Sequence, residues 1–250
     1  MGSAEEFPRP QWEELARGIA DVIRRRGPEE GLLAAFRRLD EITAGLDREA
    51  HASLGFEATA CARRCGHCCR LPVLVSPVEA VIILRTLRRR VSASEFRRMA
   101  ARIREVARAT EGLQDPARII RDIACPLLVN EECSVYDVRP LGCHSHTSID
   151  SALCAAGRGR PEASRAMSLE HARGGALALG ALLTALAERG ARPLMIELTA
   201  GLEHALDSPA LLRDLMRGAG VPGSHELEWI DALVASLGKD AGGRKEGHHE

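Results

Sequence analysis

Eight cysteines carry the most distinctive chemistry in this 250-residue chain, and all of them fall between Cys61 and Cys154. Four lie in one short run, Cys61-Ala62-Arg63-Arg64-Cys65-Gly66-His67-Cys68-Cys69, which reads C-x3-C-x2-C-C. A C-x2-C turn lets two sulfurs face one point, and Gly66 permits the tight backbone that a ligand loop requires. The neighbouring Arg63, Arg64 and Arg70 favour the thiolate form and offset the charge of a multi-thiolate site. Cys125, Cys133, Cys143 and Cys154 form a second group. Cysteines confined to one stretch make a local site rather than a general disulfide framework. The chain opens Met1-Gly2-Ser3-Ala4 without a basic and apolar leader, so a cytoplasmic setting is expected. There, clustered cysteines are metal ligands or redox groups.

The donor count admits two arithmetics. Two tetrahedral zinc sites would use all eight thiolates, Cys61, Cys65, Cys68, Cys69, Cys125, Cys133, Cys143 and Cys154, whereas one [4Fe-4S] cluster needs four of them. Side chains of the adjacent Cys68 and Cys69 tend to diverge, so one serves a first centre while the other faces a second ligand set or the core. His67, His144 and His146 lie inside the same region and are either substitute ligands or hydrogen-bond donors to sulfur. Arg139-Pro140 reads as a rigid turn that aims Cys143 back at the other sulfurs. Arg139 then either balances the charge of a bound cofactor or pairs with an acid such as Asp137.

The C-x3-C-x2-C-C run, followed by Cys125-Pro126-Leu127-Leu128 and by Cys133-Ser134-Val135-Tyr136-Asp137-Val138-Arg139-Pro140-Leu141-Gly142-Cys143, resembles the zinc- or iron-chelating cysteine-cluster family of the CxxCxxCC type. This is a bacterial group, and the resemblance spans about Cys61 to Cys154. It implies metal binding. It also implies a distant relation to the cluster region of flagellin lysine N-methylases, where the cysteines resemble an iron–sulfur site. That relation favours a [4Fe-4S] cluster over zinc. The chain departs from the family pattern at Cys143-His144, where an arginine often follows the last motif cysteine. Cys61 to Cys68 also matches, formally, the C-x3-C-x2-C triad of radical S-adenosylmethionine enzymes, but the helices expected after Cys69 leave too few strands for the partial barrel of those enzymes.

The elements that must position these residues are helical. Lys and Arg number 34 against 35 Asp and Glu, a net charge of −1, so the chain is not built as a polycation. Four Phe, two Trp and one Tyr are too few for stacking platforms on single-stranded nucleic acid. Nine arginines between Arg85 and Arg108 read as a solvated helical face, without a nucleic-acid motif beside them. The longest uncharged stretch, Gly174 to Ala187, falls short of the ~20 apolar residues of a membrane span. No membrane and no nucleic acid are therefore expected as partners. The substrate or protein partner is left open.

Periodicity and caps predict helices over Gln11–Arg26 and Glu29–Leu46. Two capping boxes, Ser76-Pro77-Val78-Glu79 and Ser92-Ala93-Ser94-Glu95, start helices to about Arg90 and Ala109. Leu127 to Tyr136 reads as a short β-hairpin. Further helices are placed at Ser168–Arg189, Pro193–Leu206, Pro209–Arg217 and His225–Leu237, with a polar, disordered tail from Gly238.

The expected architecture is mainly α. N-terminal helices (1–60) and a C-terminal helical region (155–237) flank an irregular cysteine-rich metal-binding module (61–154) that contains the β-hairpin and an inserted helical hairpin. The function that follows is metal binding, with an iron–sulfur centre supporting a redox or modification reaction on a peptide or small substrate. The alternatives are a zinc-stabilised module without catalysis and, by resemblance, a lysine methylase-like enzyme using S-adenosylmethionine.

Overall fold

The computed structural model describes residues 10–54, 59–163 and 168–226. They form ten α-helices, a three-stranded sheet and a two-stranded hairpin. The chain opens with α1 (Pro10–Arg26) and α2 (Pro28–Leu54), joined through Gly27, which sits at φ +93°. Only glycine takes that conformation without strain. Ile19, Ile23, Leu32 and Phe36 are buried along the facing stripes, as the 3.6-residue repeat requires.

After the first cysteine group comes β1 (Leu74–Val75), then α3 (Pro77–Arg90) and α4 (Ala93–Thr110). Both capping boxes form: the side chain of Ser76 accepts from Glu79 N and that of Ser92 accepts from Glu95 N, while each glutamate accepts from the backbone N–H of its serine. Every residue from Pro77 to Leu84 is buried, so α3 is the central helix and is apolar almost all round. Glu79 is the exception. Its carboxylate closes the capping box and also accepts Leu141 N–H at 3.0 Å, and burial pushes its pKa up against those bonds.

A short α5 (Asp115–Ile120) leads to a hairpin of β2 (Leu128–Val129) and β3 (Glu132–Cys133), with Leu128 opposite Cys133. Asn130 and Glu131 form its two-residue turn at φ +52° and +59°, the pair of positive angles a type I′ hairpin demands. A 3-10 turn over Tyr136–Val138 precedes α6 (Leu141–Ser145) and α7 (Ser151–Ala156). The long α8 (Leu169–Ala187) packs on α1 and on α6.

Residues 193–206, read from sequence as one helix, divide instead into β4 (Leu194–Glu197) and α9 (Leu198–Asp207). Glu197 causes the break: it caps α9 by accepting from Thr199 N and Ala200 N, and its backbone is extended. β4 is the middle strand of the sheet, antiparallel to β1 (Val75 opposite Ile196) and to β5 (His225–Glu226). The helix expected from His225 therefore starts as strand, and its remainder, with the tail from Gly238, lies outside the described residues. Between β4 and β5 runs α10 (Leu211–Leu215).

One buried cluster unites these parts, from Ile23 and Phe36 through Ile82 and Ile83 to Leu127, Leu141, Leu182 and Ile196. No helix among the described residues is long and apolar enough to cross a membrane. Of the nine arginines from 85 to 108, Arg85 and Arg89 pair with Glu29, Arg90 with Asp137 and Arg104 with Asp207, so part of that face is neutralised within the fold.

Gly175 on α8 faces Ser145 on α6 so closely that an added Cβ would stand 2.1 Å from the Ser145 Cβ. Gly175→Ala gains about 1 kcal/mol of helix propensity but overpacks this crossing at a cost of about 1–3 kcal/mol. A net loss of stability in urea unfolding is the expected result; a variant more stable than the wild type would show that the crossing has slack.

Candidate metal centre

The first cysteine run is a chain of turns, closed by Cys65 N to Ala62 O, Cys69 N to Gly66 O and Leu71 N to Cys68 O. Backbone bonds fix it against the second group. Cys125 N donates to Cys69 O at 2.7 Å, and Ala60 N donates to Ser148 O at 2.7 Å. Ser148 N donates to the Cys61 sulfur at 3.2 Å. Arg70 adds a side-chain tie, donating to Asp122 O at 3.1 Å. Cys133 comes from the hairpin, and Cys143 lies in α6, whose start is held by Glu79.

These contacts gather Cys61, Cys65, Cys68, Cys69, Cys125, Cys133 and Cys143 around one cavity of about 100 Å³. Much of its remaining wall is apolar, from Leu71, Val73, Leu127, Pro140 and Leu198. Among the described residues, no three Cys, His, Asp or Glu side chains already stand in the close triad that a single ion needs. The sulfurs ring a void instead. Cys154 does not line it; it lies on α7 within electrostatic reach of Cys61 at the rim. All eight thiols are free, and Cys61 is exposed.

Burial controls the electrostatics. It pushes the Cys125 thiol up to about 12, and it raises Cys143 well above the ordinary range, with Cys68, Cys125 and Cys133 adding repulsion. Cys68 is raised first by its hydrogen bond with Cys69 and then by burial. Cys133 and Cys61 are also raised, chiefly by burial. One cation opposes the rise at Cys68, Cys133 and Cys143 together: Arg139.

Arg139 lines the cavity, as its place in the motif suggested, but its acid is Asp40 on α2 at 3.1 Å. Asp137 instead takes Arg90 in a bidentate pair at 2.7 and 2.8 Å. Arg139 also donates to Tyr136 O at 2.8 Å and lies over the Tyr136 ring at 4.2 Å, with Arg63 on the same ring at 4.5 Å. Asp40 is shared with His144 Nδ1 at 3.1 Å. Burial would raise the Asp40 carboxyl, but the His144 hydrogen bond and the Arg139 charge outweigh it and hold it below the usual range. Burial likewise keeps His144 below its ordinary value, and its ring stacks on Phe36.

His144 is thus a buried anchor beside the centre, whereas His146 lines the cavity and His67 does not. His171 is buried and its ring nitrogen Nδ1 bonds the Ser168 hydroxyl.

Residues 60–166 match the family described as CxxCxxCC, "Putative zinc- or iron-chelating domain". No curated protein and no solved structure matches the chain. The matched segment is less than half of the chain and contains every cysteine. It does not contain the whole site: Asp40, Glu197 and Leu198 come from outside it.

Two wall residues had no signal in the sequence, Arg118 on α5 and Glu197 at the end of β4, which pair at 2.7 Å. Arg118 is only 4% exposed, and its Nε has no hydrogen-bond partner among the described residues. Soft thiol donors around one void, with Arg64, Arg118 and Arg139 in its wall, suit zinc or iron held by thiolates.

A metal must displace protons from these thiols, so the raised values set a sign. Cys125 and Cys143 are protonated at pH 7, and each one recruited as ligand releases a proton on loading. Apparent affinity should rise at least tenfold from pH 7 to pH 8 in chelator competition. A flat response would mean that neither thiol is a ligand. Arg139→Lys breaks the fork that joins Asp40, Tyr136 and the cavity, and should weaken metal binding by about 10–100-fold in the same assay.

Proposed function

We propose that the chain holds a polynuclear iron–sulfur centre, a [4Fe-4S] cluster on thiolates drawn from both cysteine groups, and that it supports a redox or modification reaction on a peptide or small substrate. The observation that carries this reading is the set of seven thiols that line one cavity of about 100 Å³. A mononuclear zinc site has Zn–S bonds of about 2.3 Å, which bring tetrahedral sulfurs within about 3.8 Å of one another. A cavity of about 100 Å³ lined by seven thiols has room and donors for a larger inorganic core. When bound, such a cluster supplies one-electron chemistry.

Each part of the wall has a role in this reading. Cys65 and Cys68 have the tightest chelating spacing in the first run, and Cys68 is also within electrostatic reach of Cys61, Cys133 and Cys143. Arg139 offsets thiolate charge without becoming a ligand. The apolar wall limits water around the centre.

A zinc-stabilised module is the second reading, and one observation favours it: Cys143 is coupled to Cys68, Cys125 and Cys133, which makes a set of four sulfurs. Composition separates the two readings. Protein purified without oxygen from iron-sufficient cells should be brown, contain iron and acid-labile sulfide, and bleach with dithionite. Colourless protein with stoichiometric zinc would overturn the iron–sulfur reading. Cys65→Ser and Cys68→Ser should each abolish the visible chromophore, because serine's hard oxygen substitutes poorly for thiolate. Cys154→Ser, off the cavity wall, should retain it.

A further inference from the structure

Arg118 is buried in the wall of the cysteine cavity, yet it belongs to neither cysteine motif. Its guanidinium is held on one side only. Nη1 pairs with Glu197 Oε1 at 2.7 Å, and Nη2 lies 3.5 Å from Thr199 Oγ1. Glu197 is itself fixed, because its carboxylate accepts from Thr199 N at 2.8 Å and Ala200 N at 3.3 Å at the start of α9. The pose of Arg118 is therefore set by the C-terminal part of the fold, outside the segment that matches the metal-chelating family.

The remaining donor, Nε, is shut off from solvent and has no acceptor among the described residues. A buried cationic N–H without an acceptor is costly, and natural structures rarely leave one. The cavity that Arg118 lines is rich in one kind of acceptor, sulfur.

We infer that Arg118 donates its Nε–H to a sulfur of the metal centre, a ligand thiolate or an inorganic sulfide, and that Glu197 is the positioning residue that holds it there. This rests on the reading of the cavity as a metal site. Hydrogen bonds to cluster sulfurs and nearby positive charge stabilise the more negative, reduced state. Loss of Arg118 therefore lowers the reduction potential.

Two variants test this. Arg118→Lys keeps a charge for Glu197 but has no Nε–H. Arg118→Met with Glu197→Gln removes the ion pair as a unit and leaves an oxygen to cap α9. Each is checked for folding by thermal melting without metal, and if one fails to fold the other decides. After reconstitution with ferrous iron and sulfide, a redox titration followed by absorbance reads the midpoint potential. At a fixed potential the ratio of reduced to oxidised cluster is expected to fall at least tenfold in either variant, a shift of 59 mV for one electron. A folded variant with the wild-type potential overturns the inference.

If the wild-type protein takes up zinc but no iron and sulfide, the iron–sulfur reading fails by itself. The inference is then decided by zinc transfer to a chelator. Release at least tenfold faster from the variants upholds a contact from Arg118 to a ligand sulfur, and equal release rates overturn it.

Discussion

Seven thiols share one largely apolar cavity, and the cost of ionising them together governs the architecture around it. Two thiolates about 6 Å apart repel by about 3 kcal/mol at an effective dielectric constant of 20. Several such pairs cannot charge at once in a buried space without cations close by. The fold lines the cavity with Arg64, Arg118 and Arg139 and anchors the last two to carboxylates, Glu197 and Asp40. Those carboxylates fix the two guanidiniums in the wall. The remaining charge is what a metal centre would provide, so metal affinity, proton release and local order are one linked quantity.

The scaffold meets this constraint by bringing distant segments to a single wall. Central helix α3 is buried along most of its length, and the one carboxylate it keeps, Glu79, caps its own N-terminus and holds the first residue of α6. Cys143 lies two residues further on. Across the cavity, pairing of β1 with β4 places Glu197 opposite Leu74, a few residues after the first cysteine run, and Leu198 N donates to Val73 O at 2.8 Å. The cysteine-rich segment is thus completed by α2 on one side and by the β4–α9 junction on the other. Its stability draws on a core that includes Phe36, Ile82, Ile83 and Leu127.

The sequence alone determined what depends on neighbours in the chain. The two capping boxes, the hairpin at Leu128 to Cys133 and the long amphipathic helices follow from local hydrogen bonds and a 3.6- or two-residue period. The cysteine spacing marked the site chemistry, and Arg139 was legible because it lies inside that motif. Only the tertiary structure decided which acid Arg139 meets, that Cys154 stays off the cavity wall, and that Arg118 and Glu197 enter it. Arg118 and Glu197 stand 79 positions apart in the numbering, and no periodicity couples residues at such a distance. Their pairing depends on how β4 crosses β1 and on where α5 comes to rest, both set by side-chain packing in the shared core. For the same reason Pro193 to Leu206 looked like one helix: its helix formers outweighed the local pattern until the edge of β1 offered its first residues a strand partner.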